Sequence, residues 1–355
     1  MRILVANIFG IGDVLFTTPL VRNLKRHFGD VSIDYLCNAR AKNAIENVPE
    51  VDRYFIYEKD DFVKLWRESK IRFFREYTKQ FSLMRKRKYD IVFDFTLSRY
   101  FGFLYLLLGI PKRVGFDYKR RGIFLNYKVP LKSFKGRHVI EWYLELLRKM
   151  EIPVVEKRMR LVLKPGELEW ASGYLKDKNV QNNVVAVVPG GGASWGRQAP
   201  RKRWMTSGFA ALSDKLSGQG YSVLILGDRS EKVLCKEVAS QMMGKKPVVE
   251  CDLTLNQYMA LLSKCELVVC HDCGPLHIAT ALGVKTVSIF GPGDKVVYGP
   301  YPASDKSRVV EAENIPCRPC YSSFKLPDCK LEMKCLRDIT PDDVLIACID
   351  LLRVV

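Results

Sequence analysis

Arg2-Ile3-Leu4-Val5-Ala6-Asn7-Ile8, then Gly10-Ile11-Gly12-Asp13-Val14-Leu15, then Thr18 to Phe28 and Val31 to Leu36, decide the fold. The first run is apolar and continuous, as a strand buried on both faces requires. A glycine turn follows, Thr18-Pro19 opens a helix-length amphipathic segment, and the next apolar run again has the length of a strand. Strand, turn, helix and strand together make the unit of a parallel sheet with covering helices. Working outward, Ile91 to Phe95 reads as a strand. Pro165-Gly166 and the polar helical stretch Glu167 to Lys178 interrupt the pattern, and Val184 to Val188, Val223 to Leu226, Leu267 to Cys270 and Thr286 to Phe290 resume it. The sequence predicts an α/β chain of two domains, residues 1–165 and 166–340, with no sequence repeat between them. A closing helix over 341–355 has Thr340 as N-cap, Pro341 at its first position and Asp342 and Asp343 at its positive end. It is expected to pack back on the first domain.

Two domains also suit 355 residues, because a single core usually stops growing short of that length. With 48% hydrophobic and 27% charged residues, wholesale disorder is excluded. The longest apolar run, Phe101 to Ile110, falls short of the ~20 residues that cross a bilayer. Arg2 leads directly into Ile3-Leu4-Val5 without a cleavable leader pattern, so a cytoplasmic location is expected. Eleven cysteines, mostly scattered singly, do not make a secreted disulfide framework. Cys317, Cys320, Cys329 and Cys335 form a C-x₂-C-x₈-C-x₅-C cluster, for which a structural zinc, free thiols and a local disulfide all stay open; no metal or cofactor is assigned. Residues 1–165 hold 34 Lys and Arg against 18 Asp and Glu, and so carry nearly all of the net charge of +18. That half is expected to meet anionic partners.

The chemistry falls on strand-end loops. Gly10-Ile11-Gly12-Asp13 lacks the third glycine of a dinucleotide fingerprint. Asp13 stands at the edge where open sheets bind ligands, or else caps the helix that follows. Pro189-Gly190-Gly191-Gly192-Ala193-Ser194-Trp195-Gly196 runs into Pro200-Arg201-Lys202-Arg203-Trp204, where flexible amides beside mobile cations at a helix start suit a diphosphate. Without the G-K-[ST] spacing it is not a Walker loop; a solvated glycine loop is the bland alternative. Cys270-His271-Asp272-Cys273-Gly274-Pro275-Leu276-His277 ends another strand, and Phe290-Gly291-Pro292-Gly293-Asp294 a further one. Zinc on His271, Cys273 and His277 and a Cys-His nucleophile are weaker readings than a helix N-terminus aimed at phosphate. A cleft between the domains, lined by both sets of loops, is expected.

Ile11-Gly12-Asp13 with Thr18-Pro19, Lys112-Arg113-Val114-Gly115-Phe116, Lys202-Arg203-Trp204, Asp272-Cys273-Gly274-Pro275-Leu276-His277, Phe290-Gly291-Pro292 and Tyr298-Gly299-Pro300-Tyr301, in this order, resemble the ADP-heptose:lipopolysaccharide heptosyltransferases. The resemblance implies a GT-B architecture of two Rossmann-like domains with parallel sheets facing a central cleft, the first gripping the acceptor and the second an ADP-sugar. It implies inverting transfer without an essential metal. Carried over, Asp13 matches the general base, Lys202 the cation on the donor phosphates, Asp272 the carboxylate at the donor sugar, and Gly274 and His277 the diphosphate turn. Gly190, Gly191, Ser194 and Gly291 join the donor site. Glu231 is expected at the ribose hydroxyls, and Leu253 and Thr254 beside the adenine.

On the acceptor side stand Gly12 and the cations Arg99, Lys119, Arg120 and Arg121, set to meet the phosphates and carboxylates of an anionic glycolipid. His138 heads a helix and is expected to cap it. Phe62, Trp66, Phe73, Tyr77, Phe81 and Met84 recur at near-helical spacing in a basic stretch ending at Lys88, which fits either the membrane's cytoplasmic face or the core. Two other function classes are weighed: an epimerase or hydrolase of nucleotide-sugars on the same fold, and a non-catalytic binder of nucleic acid or membrane. No DNA or RNA recognition motif supports a nucleic-acid partner.

Overall fold

The computed structural model describes residues 1–180, 183–191, 193–322 and 324–353, with the backbone alone at Lys59, Phe62, Val63, Phe73, Phe74, Tyr77, Gln80 and 193–195. The chain divides into two compact units: Met1–Phe134 with Val139–Arg160, and Lys135–His138 with Leu161–Val355.

The first unit holds β1 (Arg2–Ala6), β2 (Ser32–Cys37), β3 (Arg53–Ile56), β4 (Ile91–Asp94), β5 (Lys112–Tyr118) and β6 (Tyr127–Leu131), in the order β3-β2-β1-β4-β5-β6. The second holds β7 (Val184–Val187), β8 (Ser222–Leu226), β9 (Val248–Glu250), β10 (Leu267–His271), β11 (Lys285–Phe290) and β12 (Ser307–Glu311), in the order β12-β11-β10-β7-β8-β9. Every pairing in both sheets is parallel. Counted from its own first strand, each sheet is wound 3-2-1-4-5-6, the doubly wound order of Rossmann-like domains. The two units thus repeat a topology without repeating a sequence.

Burial explains which strands the sequence discloses. Ile3 to Ala6 of β1, all of β4, all of β7 and all of β10 are buried, so helices on both faces demand unbroken apolar runs. The short β3, β9 and β12 are half-exposed along their lengths, and their mixed composition leaves no such run.

Two expectations are adjusted. The basic aromatic stretch forms two helices, Lys59–Glu68 and Lys70–Lys86, because Ser69 between them is extended and its hydroxyl caps Arg72 N at 3.3 Å. Of its stripe, Met84 is buried and Phe81 packs on the first unit's core, while Trp66 faces solvent; the side chains of Phe62, Phe73 and Tyr77 lie outside the described residues. The closing helix, Pro341–Arg353, has its expected cap, with Thr340 N donating to Asp343 Oδ2 at 2.8 Å and Asp343 N to Thr340 Oγ1 at 3.2 Å. Its destination is corrected: Val344, Cys348 and Leu351 complete the core of the second unit.

Candidate active site

In a sheet wound this way, ligands bind outside the carboxyl ends of the strands where the winding reverses. The reversal lies between β1 and β4 in the first unit and between β7 and β10 in the second.

In the first unit, β1 leads to buried Asn7, whose Oδ1 accepts Phe9 N at 3.1 Å and whose Nδ2 donates to Asp13 O at 3.0 Å. These bonds fold residues 7–13 into a tight turn ahead of the helix Ile11–Leu15. Asp13 is half-buried at the third position of that helix, and its Oδ2 accepts Gly10 N at 3.2 Å. The capping alternative is therefore corrected in its detail: Gly10 holds the N-cap position, and the Asp13 carboxylate reaches back to it. Gly12 is half-buried alongside. From β4 comes Asp94, which the sequence reading passed over. Its Oδ1 accepts Thr96 N at 3.0 Å and the Tyr105 hydroxyl at 3.2 Å, and complete burial pushes its carboxyl up to about 6. An acid inside the apolar run Ile91 to Phe95 was the available signal. Arg99, Lys119, Arg120 and Arg121 are all exposed, and the last of them approaches Leu97 O at 3.5 Å.

In the second unit, Gly190 and Gly191 follow β7 and rest on Glu231, whose Oε1 accepts Gly191 N at 2.6 Å and whose Oε2 accepts Asp228 N at 3.2 Å. A side chain at Gly190 would collide with the Glu231 carboxylate, and Gly191 has a φ of +112°, so both positions need glycine. Glu231, buried and also 3.4 Å from Arg203 Nη2, spends its acceptors on the protein's own loop. The stretch Ala193–Lys202 is 3-10 in character and delivers Lys202 into the protein, where Nζ meets Asp272 Oδ2 at 2.9 Å. Both side chains are 9% exposed, so the expected mobile cation is instead a buried ion pair at the end of β10.

His271 ties these pieces together. Its Nδ1 lies 2.9 Å from Gly190 O and its Nε2 accepts Trp204 N at 2.7 Å, an arrangement that assigns the proton to Nδ1. Burial lowers its pKa to about 4, with the Lys202 and Arg203 charges assisting, so the ring stays neutral. One histidine thereby fixes both the glycine turn and the head of the helix Thr206–Gly218. Both nitrogens serve backbone and Cys273 Sγ turns to His271 O at 3.2 Å, so His271 has no nitrogen left to ligate zinc or activate a thiol. His277, buried in the helix Gly274–Leu282, is held neutral with a pKa of about 3, through burial first and then the Lys202 charge. Nothing lies within 4 Å of where a side chain at Gly274 would project, so the first turn of that helix is open.

The remaining donor-site candidates sit around this centre in varied roles. Gly291 follows β11, its carbonyl accepts Arg318 Nε at 2.7 Å, and a side chain there would press on Leu336. Thr254 caps the helix Leu255–Ser263 by accepting Gln257 N at 3.3 Å, with Leu253 half-buried before it. The Ser194 side chain lies outside the described residues. His138 bonds Gly299 O through Nε2 at 3.1 Å and stacks on Tyr301 with ring centroids 4.5 Å apart, so it anchors a loop of the second unit. Cys317 and Cys320 bring their sulfurs to 3.7 Å, and all eleven cysteines are free thiols. Among the described residues no group of three or more His, Cys, Asp or Glu is placed to hold a metal ion.

Comparison with known proteins gives this geometry a family. Residues 78–328 match the family model described as glycosyltransferase family 9 (heptosyltransferase). Lipopolysaccharide heptosyltransferase 3 of Escherichia coli is 26% identical over 296 residues, covering 82% of this chain and 83% of its own. Among solved structures, a family 9 glycosyl transferase from Veillonella parvula superposes with a TM-score of 0.82 at 21% identity, covering 99% of this chain and 97% of that one. The E. coli ADP-heptose lps heptosyltransferase II superposes with a TM-score of 0.77 at 22% identity, covering 99% and 98%. These superpositions establish the α/β fold of two Rossmann-like units as that of GT-B heptosyltransferases. With more than half its length inside the family model, the chain belongs to glycosyltransferase family 9, and it is a glycosyltransferase.

Proposed function

We propose that the chain transfers a heptose from ADP-heptose to a sugar hydroxyl on the inner core of lipopolysaccharide, or a similar anionic glycolipid, with inversion at the anomeric carbon and without an essential metal. The observation that carries this reading is the reversal point of the second unit. There a glycine turn, the Lys202–Asp272 pair and the open first turn of the helix Gly274–Leu282 share one sheet edge. Amides, a cation and a helix N-terminus together suit a nucleoside diphosphate. ADP-heptose, named for one of the structures of the same fold, supplies that diphosphate with its sugar.

The first unit supplies the base. The acceptor oxygen attacks the anomeric carbon, its proton passes to the Asp13 carboxylate, and the bond to the β-phosphate oxygen breaks with its electron pair leaving on ADP. A positioned base contributes roughly 10²- to 10⁴-fold in rate. The charge gathering on ADP is met by Lys202 and by the amides around Gly190 and Gly274; Asp272, relieved of its lysine, accepts from the hydroxyls of the donor sugar. Glu231 holds the glycine turn, and its ribose role requires an exchange of partners when the donor binds. Arg99, Lys119, Arg120 and Arg121 face the anionic groups of the acceptor. The reaction is expected on the cytoplasmic face of the membrane where such acceptors are built, and no helix of the described residues is long and apolar enough to cross it.

The test is ADP release from ADP-heptose with and without a heptose-deficient core acceptor, with the linkage read by NMR and a parallel reaction in chelator. Acceptor-dependent release, an inverted anomer and indifference to chelator are expected. Release without acceptor would move the assignment to a hydrolase of the same fold.

A further inference from the structure

The helix Arg99–Leu107 breaks the rule for a helix at a protein surface. Its inward residues Phe101, Leu104 and Tyr105 are buried, yet its outward residues are apolar as well: Tyr100 is 43% exposed, Phe103 44%, Leu106 44% and Leu107 53%. No charged residue occurs between Arg99 and Lys112. A helix apolar on every side is ordinarily covered by something. The loop after β5 extends the patch: the Phe103 and Phe124 rings lie 5.2 Å apart, and Ile123 beside them is 64% exposed.

Charge surrounds this patch on one side. Arg121 reaches the residues leading into the helix at Leu97 O, and Lys119, Arg120 and Arg99 are exposed with it. Over residues 95–134 there are eight Lys and Arg against a single acid, Asp117, whose Oδ1 is taken by Gly122 N at 2.9 Å. A second copy of the chain would set like charges against each other, and a nucleic acid would leave Leu106, Leu107 and Ile123 in water. An anionic bilayer satisfies both features, with aliphatic and aromatic groups among the acyl chains and cations at the lipid phosphates. Among the described side chains of the more basic helix Lys70–Lys86, Ile71 and Leu83 are exposed as separate apolar positions, with Met84 turned into the core.

We infer that the face formed by the helix Arg99–Leu107 and the 119–124 loop docks the enzyme on an anionic phospholipid surface. The inference goes beyond the transfer reaction, because it names a lipid surface that binds without donor or acceptor.

The experiment is sedimentation of the full chain with vesicles of phosphatidylglycerol and phosphatidylethanolamine, free of glycolipid, against vesicles of phosphatidylcholine. Binding to the anionic vesicles alone is expected, weakened by high salt. Leu107→Asp and Ile123→Asp should each lower the partition coefficient by about tenfold or more, since each sets a charge where an apolar group entered the interface. Both positions are solvent-exposed, and an unchanged thermal shift with ADP verifies that the variants are folded. Wild-type protein that ignores anionic vesicles, variants that bind like wild type, or a dimer that both substitutions dissolve would each overturn the inference. Because ADP-heptose is absent throughout, failure of the proposed reaction leaves this result readable.

Discussion

The two reversal points share one winding and differ in chemistry, the first presenting carboxyl groups and the second cation–carboxylate pairs beside backbone amides. At the first, β1 and β4 present carboxyl groups, Asp13 half-exposed and Asp94 sealed. At the second, the loops after β7 and β10 present amides, a neutral His271, and the cations Lys202 and Arg203 paired with Asp272 and Glu231. The contrast runs against the bulk charge, since the first half of the sequence carries nearly all of the +18 and the second is almost neutral. Net charge therefore speaks to what approaches a surface, while a handful of strand-end residues decides what is bound or deprotonated at a site. A sheet fixes where chemistry can occur, and the residues following its strands fix which chemistry it is.

If the second reversal point is the anion site, Lys202→Ala should carry the largest effect. Loss of the cation should cost roughly 10²- to 10³-fold in kcat/KM for the donor. Asp272 would be left buried without its partner, at about 3–5 kcal/mol in denaturant unfolding. Pairing Lys202→Met with Asp272→Asn should recover stability without recovering rate. Unchanged donor affinity and rate in Lys202→Ala would take the residue out of the phosphate site and erase the contrast.

The first reversal point is sharpened by Asp94. Its carboxyl titrates at about 6 in the folded chain and near the ordinary carboxylate value when unfolded, so the native state holds the proton more tightly. Stability should accordingly fall as pH rises from about 4 to about 6, by about 3 kcal/mol in all. Asp94→Asn should remove that slope in urea unfolding measured across the range. A variant with the wild-type slope would mean that this acid is not the group that titrates.

Smaller effects separate the two glycine turns. Gly190→Ala drives a methyl into Glu231 and should cost about 1–3 kcal/mol, with weaker ADP binding. At the matching turn, Gly10→Ala meets only Asp13 Oδ2 at 3.5 Å, an ordinary contact, and should stay within about 0.5 kcal/mol. Equal costs would show that the Glu231 buttress does not distinguish the turns.

Much of the architecture was legible because strands buried on both faces must be written as unbroken apolar runs. β1, β2, β4, β7, β8, β10 and β11 were found that way, whereas half-exposed β3, β9 and β12 carry no such signal. At the site, strand-end position pointed to Asp13, Lys202 and Asp272. Their partners were not legible, because the ion pair between Lys202 and Asp272 joins residues seventy positions apart. His271 looked like a metal ligand by residue type, yet its two backbone bonds come from loops that only the folded sheet brings together. The closing helix shows the same limit: its cap is local and was read correctly, while the surface it covers is a tertiary matter.

The most direct test of the division of labour is Asp13→Asn, assayed in parallel for glycosyl transfer and for ADP affinity by calorimetry. The account predicts a loss of about 10²- to 10⁴-fold in transfer with ADP affinity unchanged, because the proposed base, Asp13, and the proposed diphosphate site around Lys202 belong to different units. Transfer at the wild-type rate, or a fall in ADP affinity that matches the fall in rate, would contradict it.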